Sequence, residues 1–138
     1  MTISPTRSEA ERPLVSVIIP AYCAASYLER AVNSVREQTH RNIEIIIVDD
    51  GSTDDTLAIA MALAETDERI QVLHQSQSGA ASARQLAAKH ANGKYIAPID
   101  ADDLWAPQNL RRQVDCLEEN PEVAVSYSWS VHIDEDDR

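Results

Sequence analysis

Phenylalanine does not occur in this 138-residue chain, and tryptophan and tyrosine together supply only 4% of it. A core of that composition has to be filled by Ile, Val, Leu and Ala. Glycine is almost as scarce: Gly51, Gly79 and Gly93 are the whole complement. Their spacing excludes a G-x-G-x-x-G turn, and with it the signature of a dinucleotide-dependent oxidoreductase. The two cysteines, Cys23 and Cys116, form no C-x-x-C unit and read as small buried residues or bystanders. A reduced, cytoplasmic setting is the simplest expectation, with membrane association of a longer protein left open. Long hydrophobic runs are missing too. The longest strong one covers residues 45–48, far short of a membrane span. Residues 1–12 lack the apolar centre of a signal peptide and read as a flexible tail.

Positive charge is the last shortage. Twelve basic residues against twenty-three acidic ones leave a net charge of −11. Nucleic-acid binding through phosphates needs clustered Lys and Arg, so that class is disfavoured, as is an anionic membrane surface. A small anionic ligand remains open if a cation mediates the contact.

What is present is an orderly alternation. Residues 14–19 are β-branched, stop at Pro20, and read as a strand. Ser26 and Glu29 fit a capping box, followed by Leu28, Ala31, Val32 and Val35 at helical spacing. Residues 43–48 form a second strand, apolar nearly throughout, as expected of one covered on both faces. Asp49-Asp50-Gly51-Ser52-Thr53 is the turn out of it, with Ser52 able to cap a helix whose shared side is Leu57, Ala60, Met61 and Ala64. A short strand over 70–73 and a small-residue helix over 79–91 come next, with Asn92-Gly93 as the stop. Residues 95–99 give a fourth strand, whose Pro98 suggests a ladder interrupted near its end. Pro107 opens a further helix with the stripe Leu110, Val114 and Leu117. Residues 122–127 read as a fifth strand before an acidic tail. The fold class is therefore α/β, a mostly parallel open sheet with helices on both faces, in a single domain.

In such a sheet, ligands bind beyond the carboxyl ends of the strands. Here Asp49 and Asp50 follow the second strand, and Asp100, Asp102 and Asp103 follow the fourth. Like charges about 5 Å apart repel by roughly 3 kcal/mol at an effective dielectric near 20. Mg²⁺ or Mn²⁺ would turn that repulsion into attraction and still offer open positions to phosphate oxygens. Each piece has a plainer reading. A D-x-D triplet arises readily in an acidic chain, the DDGS turn can be simple cap chemistry, and Arg84 can be a solvated charge. Tyr22 and Trp105 can be packing residues, and His40, His74, His90 and His132 lack ligand spacing.

Read in order, VSVIIPAY, YLERAVNSVREQT, IEIIIVDDGSTDDT and SGAASARQLAAKHANGKYIAPIDADD resemble the family 2 glycosyltransferases over residues 13–127. The resemblance implies a GT-A fold and transfer of a sugar from a nucleotide diphosphate donor, usually with inversion. On it, residues 13–138 are the nucleotide-diphospho-sugar-binding part, cut before the acceptor-binding half. It implies that Pro20, Ala21 and Tyr22 line the nucleotide base and ribose. Asp50 would bond the base with Asp49 as its neighbour, and Arg84 would lie near the diphosphate. Asp100 would meet the ribose, and Asp102, with Asp103 one residue away, the divalent cation. A UDP-sugar is the default donor, with thymidine and guanosine diphosphates open, and a saccharide or lipid-linked saccharide is the acceptor. Two departures stand out: Cys23 and Gln85 occupy positions where the family often has Asn. The general base is expected beyond residue 138, so this chain alone should bind nucleotide weakly and transfer sugar poorly or not at all. Exposed apolar surface could also drive its self-association. Two other classes remain as alternatives: a phosphorelay receiver-like acidic metal-binding domain, whose order of acids fits less well, and a non-catalytic nucleotide-binding or interaction module.

Overall fold

The computed structural model describes residues 7–134, 136 and 138. Four strands, β1 (Val15–Ala21), β2 (Ile43–Asp50), β3 (Ile70–Gln75) and β4 (Tyr95–Pro98), alternate with four helices. These are α1 (Leu28–Arg36), α2 (Thr56–Thr66), α3 (Ala80–His90) and α4 (Asn109–Glu119). All strand pairs are parallel, in the order β3-β2-β1-β4. The expected fold class holds, including helices on both faces.

Period-two alternation decides which helix covers which face. Val15, Val17, Ile19 and Ala21 of β1, with Ile43, Ile45 and Ile47 of β2, pack against α1, α2 and α4 in the larger core cluster. The intervening Ile18, Ile46 and Val48 meet Ala83 and Ala87 of α3 in a smaller one, with half-buried Leu73, Leu86 and Ala91 packed at its margin. Alanines there let the helix lie close to the sheet. No helix among the described residues is long and apolar enough to cross a membrane.

Pro98 ends an edge strand. The next N–H, of Ile99, donates to the carbonyl of Ile18 at 3.1 Å. By alternation the proline nitrogen faces the open side, where no ladder donor is required.

Several local expectations give way to other contacts. Ser26 caps nothing: the carbonyl of Ala24 accepts the N–H groups of Tyr27 and Leu28, and α1 starts there. Ser52 is not the cap of α2 either. Asp54 takes that work, its Oδ1 accepting the Thr56 N–H at 3.0 Å. On α2 the buried residues are Thr56, Ala60 and Leu63, while Met61 is exposed. A helix apolar nearly all round offers no periodicity to choose its inner face. Pro107 lies two residues ahead of α4. Both cysteines are free and exposed, not buried. Residues 122–127 form no strand, because no described neighbour offers them a ladder.

Of the residues read as a tail, 1–6 lie outside the described ones. Glu9–Glu11 form a 3-10 turn, and buried Arg12 reaches Asp115 of α4 at 2.9 Å.

Buried Gln38, just past α1, ties the chain after β4 in place. Its Nε2 donates to the carbonyls of Ser34 (3.0 Å) and Ala106 (2.8 Å), and its Oε1 accepts the Leu110 N–H at 3.0 Å. Thr39 N–H donates to Pro107 O at 2.8 Å, and Trp105 N–H to Ser34 Oγ at 3.2 Å. The loop from the carboxylates to α4 is therefore fastened to the end of α1.

Candidate functional site: the carboxyl edge of the sheet

Register brings three strand ends level: Ala21 pairs with Asp49, Asp49 with His74, and Asp50 with Gln75. The chain runs from β1 to β2 on one side and returns with β4 on the other. A crevice between β1 and β4 is where such a sheet receives a ligand. A cavity of about 340 Å³ opens there. Pro20, Ala21, Tyr22, Asp50, Arg84, Asp100 and Asp102 all line it. Seven of the nine residues singled out in the sequence thus meet around one space. Asp49 and Asp103 are not among the lining residues.

The two adjacent aspartates of β2 are sent to opposite faces. Asp50 is 3% exposed, yet its carboxylate is well supplied with donors. Oδ1 accepts from Gln75 Nε2 (2.8 Å) and the Ser78 N–H (2.7 Å), and Oδ2 from the Gly79 N–H (2.9 Å). Burial pushes the carboxyl pKa up, but these three bonds outweigh it and hold the group below its ordinary value. Asp50 thereby does for α3 what a side-chain cap would do. Gly79, at φ +95°, aims its N–H at the carboxylate in a conformation that other residues adopt with strain.

Asp49 does not line the cavity. Its buried Oδ2 accepts from His74 Nδ1 at 2.9 Å and from the Ser52 N–H at 3.4 Å. It braces the turn after β2 from beneath. Gly51 makes that turn possible: at φ +73°, a Cβ there would sit 2.7 Å from the backbone nitrogen of Gln77.

That turn in turn supports the segment after β1. Cys23 N–H donates to Ser52 Oγ at 2.9 Å, and the Cys23 Sγ lies 3.4 Å from Thr53 Oγ1. Hydrogen bonding from Thr53 lowers the thiol pKa. Cys23 has φ +47°, a left-handed conformation in which asparagine is favoured. The Asn that the resemblance leads one to expect at this position would have a backbone reason. Tyr22 and Tyr27 present exposed rings to the cavity.

On the other side, Arg84 of α3 donates to Asp100 Oδ1 at 2.6 Å. Among the described residues, no cation pairs with Asp102 in this way. Asp103 has its pKa raised by partial desolvation first, then by the charges of Asp102 and Asp100. Among the described residues no three His, Cys, Asp or Glu side chains converge as a metal cage. The donor set fits a hard cation that takes one or two carboxylate oxygens and completes its shell from phosphate and water.

Sequence reasoning missed Gln75, Ser78 and Gly79 as the holders of Asp50, and Cys23 and Tyr27 as cavity residues. Extending the alternation of β2 by two positions would have separated Asp49 from Asp50. Nothing in the sequence signals Gln75.

Fold and site together define a doubly wound α/β unit whose ligand crevice is rimmed by carboxylates and one arginine. The Glycosyl transferase family 2 profile matches residues 16–138, and the chain belongs to that family. It is 45% identical over 66% of its length to glycosyltransferase GlyG of Streptococcus pneumoniae, covering 31% of that protein. It is 40% identical over 90% of its length to an uncharacterized glycosyltransferase of Nostoc sp., covering 38% of it. Among solved structures, mannosyltransferase PcManGT from Pyrobaculum calidifontis, in complex with GDP-Man and Mn²⁺, superposes with a TM-score of 0.73 at 31% identity. That match covers 81% of this chain and 34% of the other. S. aureus TarS 1–349 in complex with UDP gives 0.70 at 28% identity, over 78% of this chain and 32% of that one. The chain spans less than half the length of curated relatives it matches, 43% of one and 17% of another.

Proposed function

We propose that this chain is the donor-binding part of a glycosyltransferase that takes its sugar from a nucleotide diphosphate. The observation that carries the reading is the shared cavity. Residues suited to a nucleoside (Tyr22, Asp50) and residues suited to a diphosphate (Arg84, Asp102) open on one space at the carboxyl edge of the sheet. The complexes of structural relatives with UDP, UDP-GlcNAc and GDP-Man support a nucleotide-sugar ligand.

Pro20, Ala21 and Tyr22 would form the wall against base and ribose, with the Tyr22 ring available for stacking. Asp50 retains lone-pair capacity beyond its three bonds and would accept a base N–H. Asp100 would face the ribose and hold Arg84 toward the diphosphate. Asp102, with Asp103 adjacent, would hold a divalent cation, Mn²⁺ or Mg²⁺. Such an ion, when bound, stabilises the developing charge on the departing diphosphate. UDP is the first donor nucleotide to test, and the acceptor is a saccharide or lipid-linked saccharide. We place the reaction in the reducing cytoplasm, a setting supported by two exposed, unpaired thiols.

Calorimetric titration with UDP, and separately with GDP, with and without Mn²⁺, tests the proposal. We expect weak binding that strengthens with the metal and loses that gain in Asp102→Ala. No binding of either nucleotide would overturn the donor reading. Binding that ignores Mn²⁺ in both proteins would overturn the role given to Asp102.

A further inference from the structure

Three consecutive amides on one wall of the cavity are held by side chains from a single stretch of chain. Cys23 N–H donates to Ser52 Oγ at 2.9 Å, Ala24 N–H to Thr56 Oγ1 at 2.8 Å, and Ala25 N–H to Asp54 Oδ2 at 3.3 Å. All three acceptors belong to residues 52–56, which leave β2 directly after Asp50 and Gly51. Thr56 is fully buried, and its hydroxyl works in both directions: it accepts from Ala24 and donates to Asp54 Oδ1. Donation to a carboxylate fixes the hydroxyl proton, so the oxygen is left as an acceptor for Ala24. The Ala24 carbonyl passes the constraint on, accepting the N–H groups of Tyr27 at 3.0 Å and Leu28 at 2.9 Å. Tyr22, Cys23, Ala24 and Tyr27 all line the cavity, so these bonds secure the wall that carries both exposed rings.

Capping α2 requires only the bond from the Thr56 N–H to Asp54. The bonds to residues 23–25 reach back 29 to 32 positions and do something more. They also hold strained backbone: among the described residues, Cys23 at φ +47° is the one non-glycine with a positive φ. Such a conformation persists where neighbours overdetermine it, and positions of this kind gather at ligand sites. We propose that Thr56 and Asp54 are positioning residues for the donor site, fixing the wall of Tyr22 and Tyr27 relative to Asp50. Neither lines the cavity, so they act through the wall and not on the ligand. The inference rests on the donor reading and adds how the nucleoside side of the site is held. The chain that leaves Asp50 also clasps the wall on which a base would stack, so the width of the slot is set within one piece. Arg84 and Asp102 come from α3 and the chain after β4, and share none of these bonds.

Calorimetric titration of Thr56→Val with UDP at saturating Mn²⁺ tests it, beside thermal melts. Valine keeps the shape of threonine and removes the hydroxyl. We expect UDP affinity to fall about tenfold, the measure of one buried hydrogen bond. Thr56→Ser, which restores the hydroxyl, should bind as the parent does. Leu63→Ala empties part of the core beneath the same helix without touching the clasp. It should melt lower yet keep the parent's affinity, which separates lost positioning from lost stability. Asp54→Ala, at an exposed position that tolerates change, should lose affinity about threefold. Parental affinity in Thr56→Val or Asp54→Ala, or an equal loss in Leu63→Ala, would overturn the positioning role and leave the donor reading standing. A parent that binds neither UDP nor GDP would overturn the donor reading, and this inference with it.

Discussion

The guanidinium of Arg84 and the carboxylate of Asp100 meet at 2.6 Å, joining α3 to the turn that follows β4. Both side chains are about half exposed, so the pair contributes little to stability. Its importance is positional: it holds one positive charge at the cavity that Asp102 also lines, where the proposed diphosphate would lie. Arg84→Gln should leave the melting temperature nearly unchanged and weaken UDP binding about tenfold, a loss set by one charge-assisted contact. Paired melts and titrations would check both halves.

Gln38 is remote from the cavity yet controls its far wall. Gln38→Ala leaves the carbonyl of Ala106 and the N–H of Leu110 without their partner. Unpaired buried groups of this kind cost about 2–3 kcal/mol in total. Denaturant unfolding should show that loss. UDP affinity in the presence of Mn²⁺ should fall with it, because the loop that follows Asp102 and Asp103 keeps only the Trp105 and Thr39 ties to the end of α1.

Acid should unfold the protein through carboxylates distant from the cavity. Glu118 accepts from Lys94 Nζ, Tyr95 Oη and Arg7, and these bonds lower its pKa from 4.5 to about 2. Asp67 is lowered from 3.8 to about 2, chiefly by its bonds from Arg69. A carboxyl whose folded pKa is depressed stabilises the fold above its unfolded value, and that contribution is lost as pH falls through the folded one. Stability should therefore decline between about pH 4.5 and 2. Glu118→Gln should be less stable than the parent at pH 6 and close to it near pH 2, measured by thermal melts across that range.

Cys23→Asn should raise the melting temperature. Asparagine tolerates the left-handed backbone at φ +47° better than cysteine, and its amide oxygen can accept from Thr53 in place of sulfur. A lowered melting temperature would show that the sulfur contact outweighs the backbone strain.

The alternation of strands and helices was legible because each strand is apolar in short β-branched runs, and the acids fall just past their ends. Asp50, Asp100 and Asp102 could be placed on one rim for that reason, whereas Pro20, Ala21, Tyr22 and Arg84 rest on the resemblance to the family 2 glycosyltransferases. Asp49 could not be separated from Asp50 while β2 was ended at Val48; the observed strand continues through both, and alternation sends them apart. Caps were less readable. Ser26, Ser52 and Asp54 are all competent acceptors, and only tertiary packing selects among them. Residues 122–127 have a strand pattern, but a pattern states what a segment can pair with, not whether an edge is there to receive it. Gln38 has no signature at all: its value lies in carbonyls from α1 and from the loop before α4, which only the fold brings together.

The two faces of the sheet are unequally secured. α3 rests on a few aliphatic side chains of β1 and β2, while the opposite layer interlocks three helices. Its backbone amides should therefore exchange with deuterium sooner than those of the strands beneath it. Since α3 carries Arg84 and its first turn hangs on Asp50, a nucleotide bridging the two would slow that exchange. The thinly held layer would then act as the molecule's own reporter of occupancy.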